Sequence, residues 1–239
     1  MLLKRDHKIE VQICSEAIFS SGEKERNLVQ SRVLADRYGL VYLHAKTLKG
    51  QLKRQAFWLL RQYQSFDDRR AETFLDSVIQ LFGINSIELE MIKLKGVRNF
   101  SSSSRQGIMK LSPLELDKRL RNYFIALQEK DARDKYYRIS PHDLIEAQTH
   151  IRTGIQLEDG RTKDKRLTTY HTVKEGLVFY SSLSFDTDPT DYLADLQRIV
   201  HSLERIGAGI HRGRGQVAAC LLVDGEEATY VKCKDKGGE

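Results

Sequence analysis

Long apolar runs are missing from this sequence. No stretch approaches the roughly 18 consecutive apolar residues of a membrane-spanning helix, and the first ten residues, MLLKRDHKIE, contain no apolar segment of the kind that directs export. The three cysteines, Cys14, Cys220 and Cys233, are far apart and show no C-x-x-C spacing, which argues against a disulfide framework and against a zinc site. We therefore expect a cytoplasmic protein without a membrane anchor, whose cysteines are thiols buried in strands.

Two common nucleotide-binding motifs are also absent. A dinucleotide site requires G-x-G-x-x-G between a strand and a helix, and the phosphate loop of ATPases requires G-x-x-x-x-G-K-[ST]; neither pattern occurs. No segment repeats at a fixed period, which excludes a solenoid. The chain has 239 residues and a net charge of +6, a balance that favours a polyanionic partner. Its length allows one large domain or two small ones.

Apolar residues recur with strand and helix periods along the chain. The predicted strands are Ile9–Ile13, Leu40–Leu43, Ile87–Met91, Ile145–Ile151, Leu177–Phe185 and Val217–Val223. A first helix is predicted from Thr47, and helical spacing continues through Phe74 until Gly83. A further helix is predicted from the capping box Ser112–Glu115, and the last one from Asp188-Pro189. Residues 99–106, which include four consecutive serines, are predicted to form a loop. The alternation predicts an α+β fold with a ferredoxin-like (RRM-like) βαββαβ core and insertions.

The segment from Gly207 to Val217 concentrates glycine and arginine. Glycine allows positive φ angles and close approach of backbone N–H groups to a phosphate, and the neighbouring arginines add charge and paired donors. This combination points to an RNA backbone as the ligand. The alternative is a flexible connector in which Gly207 ends the preceding helix. The residues concerned are Gly207, Gly209, His211, Arg212, Gly213, Arg214 and Gly215.

The helix predicted from Thr47 is basic. It carries Lys49, Lys53, Arg54 and Arg61, and its first-turn N–H groups are available to a phosphate, with Gly50 allowing close approach. Lys49 is expected to be the principal contact, and the alternative is a solvated basic surface. Phe57 and Trp58 are expected to fill the core and not to stack on bases.

A polar hairpin is predicted over residues 156–167, with Asp159-Gly160 as its turn. Arg161, Lys163, Lys165 and Arg166 make its second half basic. A surface of this kind binds RNA through shape and charge, with little sequence preference. The alternative is an ordinary solvent-exposed hairpin.

Four blocks of the sequence resemble one known family. Residues 38–50 (YGLVYLHAKTLKG) resemble its strand, turn and LKG helix start, and residues 81–83 (LFG) match a motif that ends its second helix. Residues 151–154 and 170–179 resemble strands that flank a projecting hairpin, and residues 207–217 resemble a glycine-rich loop. In this order the blocks make the chain similar to RAMP-superfamily backbone subunits of type III CRISPR effector complexes.

The resemblance implies a single RAMP domain over residues 1–239, with a helical insertion at about 97–140 and a thumb hairpin at about 154–170. It implies that copies or paralogues stack along a guide RNA (crRNA), hold it for pairing with a target RNA, and assemble with a large polymerase-like subunit in antiviral defence. The thumb would then displace a nucleotide of the guide–target duplex at regular intervals. The residues expected to contact RNA are Lys46, Lys49, Gly50, Lys53, Arg54, Arg152, Arg161, Lys163, Lys165, Arg166, Gly207, Gly209, His211, Arg212, Gly213, Arg214 and Gly215.

The resemblance gives no clear catalytic residue. Family members that cut target RNA carry an aspartate before the LKG block that works with a divalent cation, whereas the matching position here falls at about Gln30. We therefore predict guide binding with little or no cleavage and with no cofactor bound by the chain itself. One alternative is a Mg²⁺-dependent ribonuclease subunit that uses Glu23, Glu25 or Asp36. Another is a guide-processing endoribonuclease with His44 as general acid or base, and a third is a ribosome-associated RNA-binding protein.

Overall fold

The computed structural model describes residues 5–20, 32–85, 88, 105–130, 139–158 and 161–230, with the backbone alone at 105, 155–158 and 161–168. The strands are β1 His7–Ile13, β2 Tyr42–Leu43, β3 Gly83–Ile84, β4 Arg105–Gln106, β5 Met109–Leu111, β6 Leu114–Leu116, β7 Thr149–Glu158, β8 Arg161–Val173, β9 Val178–Phe185, β10 Val217–Val223 and β11 Glu226–Glu227. The helices are α1 Ala45–Phe66, α2 Asp68–Phe82, α3 Lys118–Lys130, α4 Pro141–Gln148 and α5 Leu193–His201.

One antiparallel sheet forms the centre of the molecule, with strand order β11-β10-β1-β9-β6-β2. Strands β5 and β6 pair with the same neighbour, β9, and Ser112 bridges them by accepting the Ser182 N–H on its hydroxyl and donating its own N–H to the Ser182 carbonyl. Because β5 and β6 act as one strand, the four central positions are β10, β1, β9 and β5/β6. This is the arrangement of a ferredoxin-like α+β core, as the sequence predicts.

A layer of helices covers one side of this sheet. Helices α1, α2 and α5 contact one another, and their apolar side chains meet the buried side chains of β1. On α1 the buried residues recur every four positions, at Leu48, Leu52, Ala56 and Leu60. Such spacing produces an apolar stripe along one side of a helix and leaves the opposite side to solvent. None of the described helices is long and apolar enough to span a membrane.

Two helix starts differ from the sequence-based expectation. The predicted capping box at Ser112–Glu115 is wrong, because Leu114–Leu116 forms strand β6 and the helix begins only at Lys118. The apolar side chains of Leu114 and Leu116 are buried, and pairing with β9 satisfies the backbone that a helix would otherwise use. Helix α1 begins at Ala45 with no side-chain cap, so Thr47 lies inside its first turn.

The prediction of one strand over Ile145–Ile151 is wrong for its first half, which is helical. Helix α4 ends at Gln148, and a capping box between Ser140 and Asp143 specifies its start. Strand β7 then begins at Thr149 and pairs with β8 in a separate antiparallel sheet, with a register irregularity between Ile155 and Leu157. The two strands therefore pair as the predicted hairpin requires, and its predicted turn, Asp159-Gly160, lies outside the described residues. The sheet bridge between Ala17 and Val173 attaches the base of the hairpin to the rest of the fold.

Residues 97–140 contain more than a helix where they are described. Strands β5 and β6 belong to the central sheet, β4 pairs with β3, and α3 is the helical part. The strand predicted at 87–91 falls outside the described residues apart from Glu88, which is helical, and so does the predicted loop up to residue 104. The cysteine prediction is corrected at one position, since Cys14 is exposed whereas Cys220 is partly buried. Cys233 lies outside the described residues.

Candidate nucleic-acid interface

Helix α1 carries five basic side chains and no acidic one. Because the apolar stripe faces the core, Lys46, Arg54 and Arg61 are exposed. None of these three forms an ion pair within the described part of the chain. Gly50 lies among them, and beyond its own helix backbone and sequence neighbours no atom of the described residues lies within 4 Å of the position that a Cβ would take there. The exposed side of α1 is therefore a positive surface with an unobstructed backbone; we call Lys46, Gly50, Arg54 and Arg61 the α1 basic surface.

The two other lysines of α1 have structural partners. Lys49 Nζ donates a hydrogen bond of 2.6 Å to the Met109 carbonyl and so connects α1 to β5. Burial lowers the pKa of Lys49, and repulsion by Lys53 adds to the effect. Lys53 pairs with Glu88 at 2.7 Å and lies 5.7 Å from the ring centroid of Phe57. Lys49, which the sequence favours as the principal RNA contact, thus serves the attachment of the helix to the sheet.

The side chain of Gln51 joins α1 to the glycine-rich loop. Its Nε2 donates to the Gly207 carbonyl at 3.0 Å, and its Oε1 accepts from the Gly207 N–H at 3.4 Å. The next N–H, of Ala208, donates to the Ile18 carbonyl at 2.9 Å. These bonds bring two segments 156 residues apart into one surface. Sequence reasoning missed Gln51, because a lone glutamine carries no motif signal.

The exposed part of the loop is a single tight turn. Gly209 and Gly213 have φ angles of 71° and 78° and flank a 3₁₀ turn, Ile210–Arg212, in which the Arg212 N–H donates to the Gly209 carbonyl at 2.9 Å. His211 and Arg212 are exposed on this turn. The alternative in which Gly207 ends the preceding helix is wrong, because α5 ends at His201.

The second half of the loop is built into the fold. Gly215 is buried, with its N–H donating to the Glu16 carbonyl at 2.9 Å and its carbonyl accepting from Ile206 at 2.9 Å. The Arg214 guanidinium lies 4.9 Å from the ring centroid of Tyr170 on β8. One of its terminal nitrogens is buried and makes no hydrogen bond among the described residues. Arg214 therefore connects the loop to the hairpin.

Arg152 anchors the base of the hairpin. Its Nε lies 3.0 Å from both carboxylate oxygens of Glu16, next to the end of β1. This bond is the main reason that the pKa of Glu16 is lowered, and it raises the pKa of Arg152. The side chains of the four distal basic residues, Arg161, Lys163, Lys165 and Arg166, lie outside the described part of the hairpin, and only their backbone is seen, in β8.

The described catalytic candidates show no assembled site. The Asp36 carboxylate accepts the N–H groups of Tyr38 at 2.9 Å and Leu40 at 3.0 Å, and pairs with Arg121 at 3.0 Å. His44 is the N-cap residue of α1 and makes an edge contact with the Tyr42 ring. No group of three or more possible metal ligands occurs among the described residues. Glu23, Glu25 and Gln30 lie outside them.

Trp58 is not a core residue. Its side chain is 52% exposed, whereas Phe57 is half-buried and packs against the core. The expectation that both fill the core is therefore wrong for Trp58. The reason is the helical period: with Ala56 and Leu60 on the buried stripe, position 58 falls on the opposite side of α1.

The other side of the sheet holds a cavity of about 610 Å³ against α3, lined by Lys8, Glu10, Tyr180, Ser182, Arg121 and Ile125 among others. Burial and the neighbouring Glu10 raise the pKa of Tyr180 to about 12. The same two causes raise the pKa of the Cys220 thiol to about 11. Because acidic and basic side chains line this cavity together, it lacks the one-sided charge of the α1 basic surface.

Comparisons with known proteins give no match by sequence and clear matches by structure. No protein-family model and no curated protein matches the chain. A chain of Type III-B Cmr-beta, solved by cryo-EM with cognate target RNA bound, superposes with a TM-score of 0.58 at 11% identity, over 90% of this chain and 96% of that one. The fold is one found in CRISPR complexes.

Two further structures agree with this match. A chain of Type III-B Cmr-beta in its apo state has a TM-score of 0.57 at 12% identity, covering 91% of this chain and 97% of its own. A chain of a Type IV-B CRISPR complex has a TM-score of 0.51 at 11% identity, covering 98% and 95%. The similarity therefore extends over nearly the whole of each chain, and at these identities it describes the fold.

Proposed function

We propose that this protein is a cytoplasmic, crRNA-binding RAMP backbone subunit of a type III CRISPR effector complex, where it holds the guide for pairing with target RNA. The fold shared with chains of CRISPR complexes supports the proposal. The resemblance of the LKG block and the glycine-rich loop to the RAMP superfamily supports it independently. The single observation that carries it is the Gln51–Gly207 contact, which joins the α1 basic surface to the glycine-rich loop.

The chemistry of this joint surface suits a phosphate backbone. Exposed lysine and arginine side chains attract phosphates without reading bases, and a turn between two glycines allows a strand to approach closely. Lys46, Arg54 and Arg61 supply the charge from α1, and Arg212 and His211 supply it from the loop. Guide sequence is then read by base pairing with the target, and the protein binds guides of any sequence.

The hairpin and the partners follow from the same proposal. Strands β7 and β8 form a sheet of their own, which suits a thumb that enters the guide–target duplex. Neighbouring RAMP subunits and a large polymerase-like subunit are the proposed protein partners. For this chain we propose guide binding with little or no cleavage. The carboxylate of Asp36 already accepts two N–H groups and pairs with Arg121, and the position where cutting family members are expected to carry an aspartate falls at about Gln30.

The test measures binding of a labelled single-stranded crRNA to the full chain by fluorescence anisotropy, at salt concentrations between roughly 50 and 200 mM. The triple variant Lys46→Gln, Arg54→Gln and Arg212→Gln removes three exposed charges of the proposed surface. The matched control removes three exposed charges of α3, by Lys118→Gln, Arg119→Gln and Lys130→Gln.

We expect the first triple variant to raise Kd about tenfold or more, and to lower the slope of log K against log salt by ~2, since each lost phosphate contact on a single strand accounts for ~0.7. The α3 variant should leave both quantities near wild type. Equal losses in the two variants would show that net charge alone drives binding, and the proposal would be wrong.

A further inference from the structure

Trp58 is the only tryptophan of the chain, and it lies 52% exposed on α1. Arg54 lies four positions before it and Arg61 three positions after it, so both are its neighbours on the helix surface. Both arginines are exposed. The tryptophan is therefore a large aromatic ring between two guanidinium groups, on a helix with no acidic residue.

The position of Trp58 relative to the glycine-rich loop is set by the helix geometry. Gln51, which holds Gly207, precedes Trp58 by seven residues, nearly two turns, so the two side chains leave α1 on the same side, about 10 Å apart along the axis. A strand that binds the exposed turn of the loop and continues along α1 passes Trp58. The charge of this surface selects a polyanion as its occupant.

We propose that Trp58 is a stacking platform for an unpaired base of single-stranded RNA, with Arg54 and Arg61 binding the phosphates on either side. This inference rests on the proposed function, because it assigns a base contact to the same RNA surface. An exposed indole ring stacks on any base, since every base has an aromatic face, and adjacent arginines strengthen such binding through phosphate contacts and cation–π attraction. The contact is thus independent of guide sequence.

The sole tryptophan makes stacking directly measurable by intrinsic fluorescence. The full chain is titrated with a single-stranded uridine oligonucleotide, and in parallel with an oligonucleotide of the same length that carries ribose and phosphate without bases. We expect uridine to quench the fluorescence with the same Kd that anisotropy reports. The abasic strand should bind more weakly and leave the emission nearly unchanged.

Variants separate stacking from charge. Trp58→Leu should raise Kd about tenfold, the order expected when one stacked base is lost, without changing the salt slope. Trp58→Phe should recover part of the affinity, since it keeps an aromatic face. Arg61→Gln should instead lower the salt slope by ~0.7. Tyr123→Leu on α3, which removes another exposed aromatic ring, is the control and should leave Kd unchanged.

Different results overturn different claims. RNA that binds without quenching, together with an unchanged Kd for Trp58→Leu, overturns the stacking inference and leaves the proposed RNA-binding function intact. A Trp58→Leu protein that binds RNA normally but no longer associates with neighbouring subunits also overturns it, because Trp58 is then a protein contact. Absence of RNA binding by the wild-type chain overturns the proposed function itself.

Discussion

The side-chain amide of Gln51 forms hydrogen bonds with both backbone polar groups of Gly207, accepting from its N–H and donating to its carbonyl. Gly207 has a φ angle of 83°, and a Cβ at this position would lie 2.5 Å from the Ile18 carbonyl oxygen. A glutamine on a helix and a glycine in a loop thereby fix how the loop meets α1. Because a single side chain makes both hydrogen bonds, one substitution removes the contact.

Gln51→Leu should separate the loop from α1 while preserving the fold. Leucine has a similar volume and good helix propensity, but it leaves the Gly207 carbonyl without its donor. We expect a Kd for single-stranded RNA raised about threefold to tenfold, with a loss of stability near the ~1 kcal/mol of an ordinary hydrogen bond. Anisotropy and thermal unfolding measure the two effects. An unchanged Kd would mean that the loop holds its position without Gln51.

The glycines of the loop should differ in their tolerance of alanine. A Cβ on Gly215 would lie 2.1 Å from the Ile206 carbonyl oxygen, whereas a Cβ on Gly213 would have no atom of the described part of the chain, beyond its sequence neighbours, within 4 Å. Gly213→Ala therefore incurs only the positive-φ penalty of about 1–2 kcal/mol, and Gly215→Ala adds a backbone clash. Thermal unfolding should show a clearly larger drop in Tm for Gly215→Ala. The ranking is wrong if both variants unfold at the same temperature.

Substitution of Lys49 should lower stability, whereas substitution of Lys46 should weaken RNA binding. Lys49→Met removes a hydrogen bond from a charged donor to the Met109 carbonyl, a class that contributes about 1.5–3 kcal/mol, so Tm should fall on the order of 5 °C. Lys46→Met removes an exposed charge and should leave Tm nearly constant while it weakens RNA binding. A Lys49→Met protein with wild-type Tm and impaired RNA binding would instead identify Lys49 as the principal RNA contact.

The Glu16–Arg152 pair predicts a pH-dependent contribution of the hairpin base to stability. Arg152 lowers the pKa of Glu16 in the folded chain, so the stabilisation is present above the unfolded pKa and is lost as pH falls through the folded pKa. Wild type should therefore unfold at a slightly higher temperature than Glu16→Gln from pH 7 to about 5. The difference should disappear once the pH falls below the lowered pKa of Glu16. A difference that persists there would indicate packing and not charge.

Cys220 should react slowly with alkylating agents at neutral pH. Burial and Glu10 raise the pKa of its thiol to about 11, and only the thiolate is nucleophilic, whereas Cys14 is exposed. In a Cys233→Ser background, mass spectrometry after iodoacetamide treatment should find Cys14 modified well before Cys220. Denaturation should remove the contrast. Comparable rates in the native protein would contradict the raised pKa.

Several elements were predictable because their signal is local. The alternating apolar residues of β1 and β9, and the continuous apolar run of β10, identify strands from neighbouring positions alone. The four-residue spacing on α1 identifies its buried side. The same spacing places Trp58 on the solvent-exposed side of α1, so the sequence contains enough information to predict its exposure. The Ser112–Glu115 capping pattern predicted a helix wrongly for the opposite reason. Pairing with β9, a distant segment that the local sequence does not reveal, makes these residues a strand.

The sequence by itself determined the α+β core, the hairpin and a first long helix with five basic and no acidic residues. Only the tertiary structure decided which of those charges remain exposed, because Lys49 donates a hydrogen bond to the Met109 carbonyl and Lys53 forms an ion pair with Glu88. The tertiary structure also placed Gln51 against Gly207. The physical reason is that periodicity is set by adjacent residues, whereas the partner of a polar side chain is set by whichever distant segment the folded backbone brings within hydrogen-bond distance.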